Sequence, residues 1–204
     1  MKFSKLQKIY DEKYENIPST PDDQLQYIID TRKVNMDKVN SEIERIKNIP
    51  WKRMSFTFPI IPYPTPRPRS TSNGCFYVEG AHDHWQYMKK NIETNHVIST
   101  ITRFTVDLNI PIPSTMNGTE AYLAQLGYII PLDSDWDNYG KTYSDAIQQI
   151  LIINDNLICT GVVNKKYNIK PSVTIILEYQ DGYDSKFNEK RITRSKSYKK
   201  IFGE

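Results

Sequence analysis

Cysteine is scarce in this chain. Cys75 and Cys159 are the only two in 204 residues, too few for a disulfide framework and without metal-ligand spacing, so the expectation is a reducing, cytoplasmic setting. Long apolar runs are also missing. No stretch approaches the roughly 18 residues that mark a membrane-spanning helix, so no membrane span is expected. The N-terminal "MKFSKLQKIYDEKYENIP" has no continuous apolar centre and does not read as a secretory leader. The Asn117-Gly-Thr sequon is therefore expected to stay unmodified. Zinc ligation is weakly supported: His82 and His84 lie two apart, with no cysteine or third ligand beside them.

Aromatic side chains, by contrast, are plentiful. They make up 12% of the chain, led by fourteen tyrosines, and they can fill the core of one domain with an appendage. The net charge of +3 is unevenly placed. From Lys186 onward, seven basic residues face two acids, leaving the rest slightly acidic. Such a tail suits either polyanion binding or plain solvation.

The pattern predicts a helical extension over residues 1–50. "STPDD" is a helix start, with Ser19 or Thr20 as cap and Pro21 in the first turn. Leu25, Ile29, Met36, Val39, Ile43 and Ile46 then form an apolar stripe broken by Arg32. Residues 51–61 alternate like a strand. Four prolines between 62 and 68 forbid a central strand and favour an extended arm carrying Arg67 and Arg69. "NG" at 73–74 marks a turn. A helix is expected over 82–99, and a strand over "TRFTVDLNIPIP". A short helix or loop falls at 114–128, a helix at 138–151, and strands at 157–167 and 172–179. The fold class is thus mixed α/β: a small mixed sheet flanked by helices. The expected division is a helical extension over 1–50, a main domain over 51–182 and a basic tail over 183–204.

The stretch "PLDSDWDNYGKTYSD", residues 131–145, carries the chemistry. Asp133, Asp135 and Asp137 alternate and would face one way in extended chain. Close carboxylates repel and need a cation, shared protons or solvation; all-oxygen donors suit Mg²⁺, Mn²⁺ or Ca²⁺. A calcium loop of the EF-hand kind fails, because its sixth position is Asn138 and its twelfth Ser144. On a helix, Asn138, Lys141 and Asp145 share a face that Gln148 and Gln149 extend. Tyr139, Tyr143, Ile147, Ile150 and Leu151 point the other way. Asp137 or Asn138 is placed to cap that helix, and Trp136 is expected to face into the body. Downstream, "LIINDNLICTG" sets Asn154 and Asp155 in a polar turn that would return Asp155 beside Asp135 and Asp137, a carboxylate platform for metal-assisted phosphodiester hydrolysis. The competing reading is a capped surface helix with a solvated acidic turn.

The run "DWDNYGKTYSDAIQQILIINDNLI" resembles the signature of RusA-like Holliday junction resolvases, D-x-D-N-x-x-K-x-x-x-D-A followed by a D-D pair and a strand. Asp135, Asp137, Asn138, Lys141, Asp145 and Ala146 match in order, with Asn154-Asp155 at the paired position. "PYPTPRPRST" and "NGCFYV" are similar to the N-terminal half of that family, and the likeness covers about residues 54 to 180. Asn154 departs from the acidic pair, Asp133 is extra, and the first 50 residues and the 114–128 insert have no counterpart. The resemblance implies a homodimeric, Mg²⁺-dependent endonuclease of phage or prophage type, with Mn²⁺ able to substitute, that cuts four-way DNA junctions by paired nicks. It implies metal ligation by Asp135, Asp137 and Asp155, and a Lys141 that stabilises charge on the scissile phosphate or orients the attacking water. Asp145 would hold Lys141, Asn138 would serve as a cap, and Asn154 would support Asp155. Arg67, Arg69, Lys89 and Lys90 are the candidate phosphate contacts. For the dimer interface the candidates are the N-terminal stripe and the strand around Phe104 and Val106. Flaps or forks are the alternative substrates, and a non-cleaving protein that binds branched DNA is the alternative function.

Overall fold

The computed structural model describes residues 3–65, 69–71, 74–76, 81–94, 96–132 and 134–183. Arg67, Asp133 and the basic tail from residue 184 lie outside these, and of Arg69 only the backbone is described. The chain divides into two units, Met1–Asn48 and Ile49–Glu204.

The first unit is three helices: α1 (Phe3–Tyr14), α2 (Pro21–Thr31) and α3 (Met36–Lys47). Thr20 caps α2 by accepting from the Asp23 N–H, with Pro21 opening the helix, as the sequence signal requires. The stripe from Leu25 to Ile46 is not one helix. The chain turns extended at Arg32, and Asn35 caps α3 through the Lys38 N–H. Neither α2 nor α3 buries a residue, and Leu25, Ile29, Met36, Val39 and Ile43 are all exposed.

The second unit is built on a four-stranded sheet in the order β1-β6-β4-β5, from β1 (Lys52–Phe58), β4 (Thr102–Pro111), β5 (Ile158–Asn168) and β6 (Ser172–Tyr179). β6 runs antiparallel to β1 and β4, while β4 and β5 are parallel. Parallel neighbours need a long crossover. Here it holds α5 (Gly118–Gln125) and α6 (Trp136–Ile147). Between β1 and β4 come a small hairpin, β2 (Arg69–Thr71) with β3 (Gly74–Phe76), and α4 (Ala81–Asn91).

Alternation along β4 buries Thr102, Phe104, Val106, Leu108 and Ile110 on one face. Val173, Ile175 and Leu177 of β6 join them. From α6, Tyr139, Tyr143, Ala146 and Ile147 pack onto the same core, and from α4, Met88 does so. Phe104 and Val106 are 3% and 0% exposed. They are core of the single chain, which removes them as a dimer interface: alternation marks an apolar face but not what covers it.

Gly140 lets α6 lie close on β5. A Cβ there would meet Val163 Cγ2 at 3.2 Å. Trp136 departs from expectation. It shares the stripe of Tyr139 and Tyr143 but is 62% exposed, because no residue of α6 before Tyr139 reaches the core.

Candidate functional site

The acidic segment is held from below by a residue distant in sequence. Lys165 on β5 donates from Nζ to the Ser134 carbonyl at 2.5 Å. One residue later Asp135 is the N-cap of α6, with no capping bond from its side chain, and Asp137 lies in the first turn. Both carboxylates stand at the positive end of the helix dipole. The helix thus starts two residues before the expected 138, and the cap is neither Asp137 nor Asn138. Asn138 instead lies within the first turn, where its carbonyl accepts from Thr142 Oγ1 at 3.0 Å and from the Thr65 N–H at 3.2 Å.

That second bond docks the proline-rich segment on α6. Thr65 and Thr142 hydroxyls pair at 2.6 Å. The Tyr63 N–H donates to the Tyr143 hydroxyl at 3.0 Å, and that hydroxyl lies 3.3 Å from His84 Nδ1 on α4. Burial raises the Tyr143 pKa well above its usual range, so the phenol keeps its proton. Burial also lowers His84, against the opposing charge of Asp83, and favours the neutral ring. A neutral Nδ1 can accept a hydrogen bond from the Tyr143 hydroxyl. Through 65, then, the segment runs along the body rather than away from it.

Tyr143→Phe leaves the Tyr63 N–H and His84 Nδ1 without their partner, which costs about 1–3 kcal/mol. The melting temperature should drop by several degrees, and an unchanged melt would show that water replaces the hydroxyl. His84 governs the acid side. Its folded pKa lies below the ordinary 6.5, so the unfolded chain binds the proton more tightly. Stability is full above 6.5 and declines as pH falls through the folded value. Between pH 7 and 5, His84→Asn should lose less melting temperature than the wild type does.

Further along α6, Lys141 Nζ lies 2.9 Å from Asp145 Oδ1 and 2.8 Å from Oδ2. Gln148 Nε2 donates to the same Asp145 Oδ1 at 3.3 Å. Asp137, Lys141, Asp145 and Gln148 are spaced by four, four and three, so they form one outward row. The middle of the row opens on a cleft of about 480 Å³ lined by Thr65, His82, Trp85, Lys141, Thr142 and Asp145. A second hollow of about 260 Å³ shares Trp85 and Asp145 and adds Gln148 and Gln149. On the α4 side Lys89 Nζ stands 5.0 Å from the Trp85 ring centroid, and Lys90 is exposed beside it.

Leu151, Ile152 and Ile153 are buried, and Ile98 pins them through Ile98 N–H to Leu151 O at 2.7 Å and Ile153 N–H to Ile98 O at 3.0 Å. Asn154 then caps a 3₁₀ turn, Asp155–Leu157, through the Asn156 N–H, and β5 begins at Ile158. Lys165, which reaches Ser134, is about 23 Å further along the strand at ~3.3 Å per residue. Asp155 thus lies in the turn just before β5, and the backbone ahead of Asp135 is held by a residue further along that strand. Among the described residues no three His, Cys, Asp or Glu side chains group closely enough to hold a metal ion. The donor chemistry of Asp135, Asp137 and Asp155 fits a hard cation.

Sequence reading missed Lys165, thirty-one residues from its partner, and the Tyr63–Tyr143–His84 junction. Neither leaves a local spacing signal. Residues 59–178 match the family model described as Endodeoxyribonuclease RusA. No curated protein matches the chain. The family match spans more than half of the sequence and takes in the proline-rich segment, the whole of α6 with its row, and the Asn154-Asp155 turn, and by it the protein belongs to the RusA endodeoxyribonuclease family.

Proposed function

We propose that the protein nicks four-way DNA junctions in pairs, with Mg²⁺ as its cofactor. The observation that carries this reading is the Lys141–Asp145 pair, facing a cleft on the helix that starts with Asp135 and Asp137, inside the family match. Lys141 is the cation for the scissile phosphate, and Asp145 fixes its position. Asp135, Asp137 and Asp155 are the oxygen donors for the divalent ion, which when bound supplies charge neutralisation and a more acidic water. Lys165 holds the backbone that carries Asp135. Arg67, Arg69, Lys89 and Lys90 are the proposed contacts to flanking phosphates.

The test is nicking of a synthetic four-way junction, with flap and fork substrates beside it, in Mg²⁺, Mn²⁺ and chelator. Paired nicks in the junction that vanish in chelator support the reading. Preference for flaps or forks replaces the substrate, and binding without nicking in any metal leaves a branched-DNA-binding protein.

Two coordinated nicks call for two chains about a twofold axis. We propose a homodimer and place its contact on the run Ala121–Leu132, which contains no charged residue. In it Tyr122, Leu126, Tyr128, Ile130 and Leu132 are exposed, the last by 81%. Homodimer contacts are apolar and poor in charge. Light scattering should give a dimer at micromolar concentration. Leu126→Glu with Leu132→Glu should convert it to a monomer that cannot nick in pairs. A monomer in the wild type, free and on the junction, would contradict the paired mechanism. Deletion of residues 1–48 should leave dimer and nicking at least partly intact.

A further inference from the structure

We infer that the cleft between α4 and α6 receives a single nucleobase unstacked from the branched DNA, an inference that rests on the nuclease reading. One wall is aromatic. His82 and Trp85 stack at 5.7 Å between centroids and 29° between planes, and Trp85 is half-buried and packed against the core, so its ring is held. Single-stranded nucleic acid is recognised by such held ring faces. Lys89 over the ring is a weak, exposed contact. A base displaces it, and the lysine then serves the adjoining phosphate.

The other wall offers a base edge a partner beside the lysine that serves the phosphate. It presents the Asp145 carboxylate, which pairs with Lys141 and Gln148 and has further acceptor sites for the donors of a base edge. Gln148 and Gln149 close the far end, and amide side chains both donate and accept, as reading a base edge requires. Gln149 also holds φ at +61°, a left-handed backbone uncommon for a residue other than glycine. Its N–H is fixed on Ile152 O at 2.7 Å. Strain of this kind collects where a side chain must be aimed at a ligand. The space, about 480 Å³ running into a hollow of about 260 Å³, suits one splayed nucleotide rather than a paired duplex.

An abasic scan tests this with the full chain. Four-way junctions carry an abasic site at each nucleotide flanking the exchange point in turn, and binding is measured in chelator. At one position the wild type should lose about 5- to 100-fold in affinity, the range of one base–aromatic stack. Trp85→Ala should lose a similar factor on the intact junction and nothing more on that abasic one, with Trp85→Phe restoring most of it. Gln149→Gly relaxes the backbone and should flatten the preference among four bases at that position. The proposal is overturned if no abasic position weakens wild-type binding, or if the Trp85→Ala and abasic losses multiply. Nicking in Mg²⁺ is read separately. A chain that shows the coupled loss but never nicks keeps the pocket and loses the nuclease reading, and one that nicks without the coupling loses only the pocket.

Discussion

Asp135→Asn and Asp137→Asn should each slow nicking of a four-way junction by about a thousandfold or more, since loss of metal-assisted charge stabilisation removes several kcal/mol from the transition state. Junction binding should stay level or tighten, because a negative charge facing phosphate is gone. The rival role for these acids is at the helix start, Asp135 as N-cap and Asp137 in the first turn. That role is small. A carboxylate at the dipole's positive end contributes about 0.3–1 kcal/mol, and asparagine at a cap position replaces aspartate well. The two roles therefore separate by magnitude. A melt shifted by a degree or two with rates collapsed assigns the acids to chemistry. The same melt with wild-type rates assigns them to the helix and removes the site. Asp155→Asn extends the test. A collapse equal to the other two would show that DNA or a second chain brings the start of β5 to the acids. A wild-type rate would confine the ligands to the α6 start.

The row along α6 was legible because it is local. Residues at +4 on a helix must share a face, so Lys141 and Asp145 meet wherever the helix forms. Which residues turn inward was equally plain, and Tyr139, Tyr143, Ile147 and Leu151 are all buried. The sheet strands announced themselves by alternation, to within a residue or a few at the ends. What failed was the step from pattern to neighbour. The apolar side of β4 reads equally well as an interface, although α4 and α6 cover it within one chain. The acidic triplet was treated as extended, with Trp136 turned to the opposite side, but the helix already runs at 136, where successive residues differ by about 100° rather than 180°. The polar turn at Asn154-Asp155 is legible locally, but where it stands depends on the parallel pairing of β4 with β5 and on the anchor of Ile98 on Leu151 and Ile153, both long-range. Lys165 under Ser134 belongs to the same class: a lysine in a strand pattern gives no hint of the loop it will meet.

Lys141→Ala should reduce single-turnover cleavage about a hundredfold to a thousandfold, the usual loss when one preorganised group facing developing charge is removed. Binding to the junction should change by only a few-fold, since one phosphate contact among several adds little affinity. Stability gives an independent control. The Lys141–Asp145 pair is half-exposed, at 61% and 46% for the two side chains, and such helix pairs contribute about 0.3–0.5 kcal/mol. Its orientation is the weaker one as well, with the cation N-terminal to the anion, against the dipole. A pair of poor value to the helix, facing a cleft, is better explained by what the lysine does there. Asp145→Asn keeps the lysine but loosens its hold, so it should fall between wild type and Lys141→Ala in rate, with binding unchanged. Equal losses in rate and affinity for Lys141→Ala would reduce the lysine to a phosphate contact. Unchanged rates in both variants would return the pair to the helix surface and leave the acids at the α6 start without their cationic partner.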